Sequence, residues 1–94
     1  MAAIGVLTLE IVLEDAQSLK DKRRVVKGLK DRLRSRFNVA VAEIDYQNLW
    51  QRALVAAVTV SADRVHAEAV LQSVEQEAAE LLGGDLAGTT VEWM

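Results

Sequence analysis

The order and periodicity of apolar residues along the 94-residue chain predict an α+β fold. Four stretches have the strand-like composition of β-branched and aliphatic residues, the first of them in period two, and two longer stretches repeat apolar residues every three to four positions, as helices do. They follow one another as βαββαβ, the order of a ferredoxin-like domain with two helices on one face of a four-stranded antiparallel sheet. Right-handed crossovers place the strands in the order 4-1-3-2. The length allows one such domain, residues 1–94.

The first strand and the first helix have the clearest local signals. Ile4–Leu13 is aliphatic and runs in period two. Ser18, followed three residues later by Asp21, is typical of a helix N-cap, and the helix is predicted from Leu19 to about Arg36. The core side of the strand is expected to contain Leu7, Leu9, Ile11 and Leu13. The apolar stripe of the helix consists of Val25, Val26, Leu29 and Leu33. Gly28 within this helix indicates a close approach of helix to sheet, and the alternative is a hinge.

The remaining elements are predicted from strand patterns, caps and glycine stops. Two strand-like stretches, Phe37–Tyr46 and Trp50–Val60, are joined by three residues that suit a hairpin, 47–49. The second helix, capped by Ser61 or Asp63, runs to about residue 82, where two glycines end it. A short last strand covers Thr89–Trp93.

Composition excludes several classes of protein. The hydrophobic fraction is 51% and the charged fraction 27%, which is typical of a globular domain and too apolar for a disordered chain. No apolar stretch reaches the roughly 20 residues that a spanning helix needs, and the first residues do not resemble a secretory signal. We therefore expect a cytoplasmic protein. The absence of cysteine excludes disulfides, thiolate metal sites and thiol nucleophiles.

Positive charge is concentrated in the first helix. Nine of the eleven basic residues lie there against two acids, so this segment carries +7 while the rest of the chain carries −10. At 100° per residue, five of these cations fall within one arc of about 80° and form a ridge roughly 21 Å long. The basic ridge consists of Lys20, Arg23, Lys27, Lys30 and Arg34, and Arg24 flanks it.

Like charges at these spacings repel, so a partner that offsets them is expected. An RNA backbone is one candidate, and the acidic second helix with Glu68, Glu75, Glu77 and Glu80 is another. A third interpretation is a basic face that only contacts solvent or a partner protein.

The sequence lacks the residues that other activities of this fold require. The first strand lacks the aromatic residues that an RNA-recognition sheet stacks on bases, and the loop after it carries carboxylates where a phosphate loop needs glycine and arginine. His66 is interpreted as a surface residue, and Glu43 and Asp45 as a solvent-facing strand end. Phe37, Tyr46 and Trp50 are interpreted as core or interface aromatics. We expect no metal, no cofactor and no enzymatic activity.

The sheet face away from the helices is expected to be apolar, and a large exposed apolar patch usually marks an interface. Period-two counting assigns to this face Val6, Val12, Ala53, Val55 and Ala57. We therefore expect a homo-oligomer, formed through this face or through the edge strand that contains Trp93.

Three segments of the chain, residues 18–23, 37–43 and 46–52, together resemble the YlxP-like family of small bacterial proteins. The resemblance covers nearly the whole chain and implies a ferredoxin-like domain in the bacterial cytoplasm. Members of this family are often encoded among translation and ribosome-maturation genes, which implies a role with RNA or the ribosome by association. It implies no catalytic residues. The function hypothesis is therefore a binding protein that contacts RNA through its basic ridge, and the alternative is a homo-oligomeric adaptor.

Overall fold

The computed structural model describes all 94 residues and has the predicted βαββαβ order. A short 3-10 turn, Gly83–Asp85, precedes the last strand. The helices and strands are β1 (Ala3–Val12), α1 (Leu19–Arg36), β2 (Ala40–Asp45), β3 (Arg52–Ser61), α2 (Arg64–Leu82) and β4 (Leu86–Trp93). The sheet order is β2-β3-β1-β4, which is the predicted order read from the other edge, and all neighbours are antiparallel. The predicted fold class is confirmed.

Helix α1 begins where the sequence predicted. Ser18 Oγ accepts a hydrogen bond of 3.1 Å from the backbone N–H of Asp21, and the Asp21 carboxylate accepts one of 3.0 Å from the N–H of Gln17. Two backbone donors at the start of the helix are thereby satisfied. The second helix is capped by Asp63, which accepts from the N–H of Val65, while Ser61 accepts from Asp63.

Two strand boundaries differ from the prediction by three residues, and the others by two at most. Strand β2 begins at Ala40 because the N–H of Val39 bonds to the oxygen of Phe37, which turns the chain before it can pair. Strand β4 begins at Leu86, earlier than predicted, because it pairs with β1 along most of that strand's length.

The core lies between the sheet and the two helices. Leu7, Leu9 and Ile11 of β1 are fully buried, and Val26, Leu29 and Leu33 of α1 are buried against the sheet. Helix α2 contributes Ala67, Leu71, Val74, Ala78 and Leu82. The predicted sides of β1 and α1 are therefore correct, except that Val25 lies 36% exposed at the margin of the stripe.

The predicted side of β3 is wrong. Ala53, Val55 and Ala57 were assigned to the open face, but they are fully buried beneath the helices. Directly paired residues of antiparallel strands point to the same face, and these three pair with Ile11, Leu9 and Leu7 of the core side. Both alternating sets of β3 are apolar, so hydrophobicity alone could not distinguish them. The small residues lie inside, and the bulkier set, which begins with Arg52, lies outside.

The side of the sheet without helices, called the open face below, is nonetheless apolar. Val6 and Val12 lie on it as predicted, half-buried. By cross-strand pairing its other apolar residues are Ile4, Ala40, Ala42, Leu54, Ala56, Val58 and Val60. The one ion pair on it joins Arg52 to Glu10 at 2.7 Å.

Trp93 lies on edge strand β4, but its side chain is not free to form an interface. It faces the helix side, where it covers Gly5, and the guanidinium carbon of Arg64 lies 3.9 Å from the centre of its ring.

The contact between Trp93 and Gly5 also corrects the interpretation of the glycines. A Cβ on Gly5 would lie 2.7 Å from both Leu71 and Trp93, whereas a Cβ on Gly28 would meet nothing within 4 Å. The close approach is at Gly5, and the prediction of one at Gly28 is wrong.

Candidate nucleic-acid interface

The basic ridge lies on the flank of α1 that faces β2, the strand at one edge of the sheet. Arg34 Nη2 donates a 2.9 Å hydrogen bond to the backbone oxygen of Val41 on β2. Lys20, Arg23, Lys27 and Arg34 are exposed and Lys30 is half-buried. Together with Asp31 and Glu43, four of these cations line a groove of about 500 Å³ between the helix and the strand. The structure thus brings together the residues that the helical spacing predicted.

Acidic residues of α2 neutralise other cations of α1, on the opposite flank. Glu77 accepts from Arg32 at 2.7 Å and from Arg36 at 3.3 Å. Glu68 pairs with Arg64 of its own helix at 3.1 Å. None of the ion pairs in the structure joins the ridge to α2, so the second helix does not offset the charge of the ridge.

Asp31 provides the only salt bridge made by a ridge cation. Its carboxylate accepts a 2.6 Å hydrogen bond from Lys27, and both side chains are exposed. This bond, with the nearby charges of Lys27, Arg34 and Lys30, lowers the pKa of Asp31 from its ordinary value of 3.8. Three ridge cations therefore lie close enough to act on one carboxylate, and one anion against five cations leaves the ridge strongly positive.

Arg24, predicted to flank the ridge, points to a different part of the surface. It lines a separate groove with Val25, Arg32, Leu81 and Asp85, at the junction of α1 with the end of α2. The structure therefore separates Arg24 from the five cations of the ridge.

Lys22 is the largest departure from the sequence prediction. Counted among the charges of α1, it is in fact only 1% exposed. Its Nζ donates to the backbone oxygens of Tyr46 at 2.6 Å and Arg52 at 3.2 Å, and lies 2.9 Å from Glu43 Oε2. That buried oxygen receives no well-directed hydrogen bond, so its contact with Lys22 is an ion pair held by proximity.

Lys22 thereby holds the hairpin between β2 and β3 against α1. Tyr46 has a φ of 64°, the left-handed region that side chains rarely adopt, and the ammonium group binds the carbonyl of this same residue. A signal in the sequence could have found it: Lys22 lies four residues before Val26 and so continues the buried stripe of the helix.

Glu43 and Asp45 do not form a carboxylate pair. A register shift in the β2–β3 pairing lies between them, so Glu43 faces Lys22 while Asp45 is exposed and accepts from its neighbour's N–H, that of Tyr46. The interpretation of Glu43 as solvent-facing is therefore wrong. His66 is exposed on α2, as predicted. No group of three or more His, Asp or Glu side chains could hold a metal ion.

The aromatic residues differ in their surroundings. Phe37 packs against the core, as predicted. Tyr46 is half-buried beneath Arg52, whose guanidinium carbon lies 4.4 Å from the ring centre. Trp50 is 52% exposed in the hairpin, so it is not a core residue. Neither of the two helices is long and apolar enough to cross a membrane.

Comparison with protein families and curated proteins gives one family. Residues 4–90 match the family described as "Protein of unknown function (DUF503)". The uncharacterized protein YlxP of Bacillus subtilis (strain 168) is 44% identical over 71 residues, which cover 76% of this chain and 77% of that protein.

Solved structures of similar fold have little sequence in common with this chain. The de novo designed protein Foldit4 superposes with a TM-score of 0.61 at 13% identity, over 100% of this chain and 97% of the other. A dimeric ferredoxin-like protein of unknown function from Thermobifida fusca superposes with a TM-score of 0.52 at 13% identity, over 97% of this chain and 90% of the other. Identities this low establish the shared fold and nothing about activity.

Proposed function

The chain belongs to the DUF503 family of proteins of unknown function, and we propose that it is a non-enzymatic protein that binds the phosphate backbone of RNA through its basic ridge. The observation that carries this proposal is the charge balance around α1. The acids of α2 pair with Arg32 and Arg36 on one flank, and the five cations on the other flank have only Asp31 as an ion-pair partner. A row of like charges is unfavourable unless an external anion offsets it.

The shape of the ridge favours a phosphate backbone over a small anion. Lys20 and Arg34 are fourteen positions apart on one helix, which spans about 21 Å at 1.5 Å per residue. Phosphates along a nucleic-acid strand are spaced so that several can lie over this length. A single phosphate or carboxylate would contact only one or two of the cations. The ridge therefore fits a polymer of negative charge.

The same site has no means of reading bases. The ridge contains lysines and arginines and no aromatic residue, and the open face, where RNA-recognition sheets carry their stacking residues, is aliphatic. Contacts to phosphates position a nucleic acid without specifying its sequence. We propose that binding is independent of base identity and takes place in the cytoplasm, with ribosomal RNA as the first RNA to test.

A homo-oligomeric adaptor is the second candidate function, and the apolar open face is the observation that favours it. A protein of the same fold from Thermobifida fusca is described as dimeric, which gives a precedent for association on this scaffold. In this alternative the ridge contacts only solvent or a partner protein.

Two variants with equal loss of charge distinguish the candidates. In the ridge variant, Arg23, Lys27 and Lys30 become glutamine. In the control variant, Arg32, Arg36 and Arg64, which pair with acids of α2, become glutamine. In fluorescence titrations of a ribosomal RNA fragment at low salt, we expect the ridge variant to bind at least about tenfold more weakly than wild type and the control variant to bind within about threefold of it. No detectable binding by wild type, or equal losses in both variants, would refute the proposal.

A further inference from the structure

We propose that the open face is the interface of a homodimer, in which two copies stack sheet against sheet about a two-fold axis parallel to the strands. This inference rests on the sheet, on the opposite side of the fold from the helices, and is independent of RNA binding. The two pairs of helices would lie on the outside of such a dimer, so both basic ridges stay accessible.

The first argument is the kind of surface that the open face presents. Val58 lies near its centre, between Val6 on β1 and Ala40 on β2, and Val60 beside Ile4 is 56% exposed. An antiparallel sheet with one face exposed to water normally carries polar residues on that face. The central strands β1 and β3 have apolar residues at most positions of this side.

The second argument is the size of the open face. Four strands about 4.8 Å apart and six to ten residues long, at about 3.3 Å per residue, give roughly 540 Å² of flat surface before the relief of side chains is counted. A standard interface buries about 800 Å² on each partner. The flat area of this face is close to the lower limit for a stable interface, about 600 Å² on each partner, and a second copy presents a surface of matching size and shape.

The positions of the charged residues on the open face favour a second copy as the partner and indicate how the two copies are oriented. Glu10 and Arg52, each a little over 40% exposed, lie toward one end of the open face, while Ile4 and Val60 lie at the other end. A two-fold axis parallel to the strands, between β1 and β3, lays β1 of one copy over β3 of the other. Glu10 of each copy then lies over Leu54 of the other, two residues along β3 from Arg52 and within reach of its long side chain, and the apolar ends meet each other. A two-fold axis perpendicular to the strands would instead place Glu10 and Arg52 of one copy against the apolar end of the other copy.

The same residues argue against a nucleic acid as the occupant. The charged side chains of the open face are Glu10, Arg52 and, on the two edge strands, Asp45 and Glu92, so the face has a net negative charge. An isologous interface requires a self-complementary surface, and the neighbouring acid and base, Glu10 and Arg52, provide it.

Sedimentation of the full chain tests the association. We expect wild type at tens of micromolar to have twice the monomer mass of 10.3 kDa. Val58→Asp should raise the dissociation constant at least about tenfold, because it places a charge at the centre of the buried patch. Val65→Asp, at a valine that is 72% exposed on α2, is the matched control and should leave it unchanged. A monomeric wild type overturns the proposal, because the open face would then contact solvent or another protein. A dimer that Val58→Asp does not weaken also overturns it.

Charge exchange tests the geometry and does not depend on the folding of the valine variant. Glu10→Arg gives a chain with cations at both positions of the ion pair, and Arg52→Glu gives one with anions at both positions. Each alone should dimerise at least about tenfold more weakly than wild type, and an equimolar mixture should recover wild-type association through heterodimers. A role for the ion pair within one chain would give no recovery on mixing, and that result would overturn the proposed two-fold arrangement.

Discussion

Replacement of Lys22 by methionine tests whether this buried ion pair holds the hairpin to α1. The substitution keeps the length of the side chain but leaves Glu43 without a counter-charge and two carbonyls, of Tyr46 and Arg52, without their donor. Removal of one partner from a fully buried pair costs about 3–5 kcal/mol. The Glu43 side chain is 16% exposed, so water can partly solvate its carboxylate and the lower end of the range applies. We expect a loss of about 3 kcal/mol in the free energy of unfolding.

Urea and thermal unfolding followed by circular dichroism measure this loss. In a domain of this size, about 3 kcal/mol corresponds to a fall of roughly 12–24 °C in Tm. Lys20→Met, two residues earlier and exposed, is the control and should stay within about 0.5 kcal/mol of wild type. Adding Glu43→Met to Lys22→Met should restore about 1–2 kcal/mol, because no unpaired charge is then left buried. If Lys22→Met were as stable as Lys20→Met, the ion pair would not hold the hairpin and the reasoning would be refuted.

Four further predictions concern single positions. The pKa of Asp31 is lowered in the folded state. The stability that this carboxylate contributes is therefore present above the ordinary pKa and is lost as the pH falls through the folded-state pKa. An NMR titration of Asp31 should give a midpoint below 3.8, and this midpoint should rise in Lys27→Met. Gly28→Ala should stabilise the protein by up to about 1 kcal/mol in urea unfolding, because nothing lies near the added methyl group. Gly5→Ala should destabilise it by about 1–3 kcal/mol in the same assay, and equal stability would contradict the 2.7 Å approach at this glycine. Val55→Asp should abolish the folded circular dichroism spectrum, because this valine is fully buried.

Features set by short-range geometry could be predicted from the sequence. The cap at Ser18 depends on residues three positions apart, and the basic ridge depends on spacing within one helix, so both follow from helical periodicity. The fold class followed from the order of the elements and the handedness of their connections.

Features set by the pairing of distant segments could not be predicted in the same way. Period-two counting divides β3 into two sets but does not say which set faces the helices, because that depends on the register of Leu9 against Val55. Lys22 has a charged side chain that normally lies in solvent, and its burial requires the carbonyls of Tyr46 and Arg52, which lie twenty-four and thirty residues later. The charge balance of the ridge depends on which flank of α1 packs against α2. The sequence does not specify this flank, and only the tertiary structure showed that Glu77 pairs with Arg32.

The salt dependence of RNA binding tests the central claim most directly, because it counts the phosphates that the protein neutralises. The ridge has five cations and one paired acid, so about four contacts to a single strand are expected, which predicts a slope of about −3 for the logarithm of affinity against the logarithm of salt concentration. The ridge variant with Arg23, Lys27 and Lys30 changed to glutamine should have a slope of about −1, and the control variant with Arg32, Arg36 and Arg64 changed should keep the slope of wild type. A wild-type slope near zero, or one that falls equally in both variants, would contradict the assignment of the ridge as the RNA-binding surface.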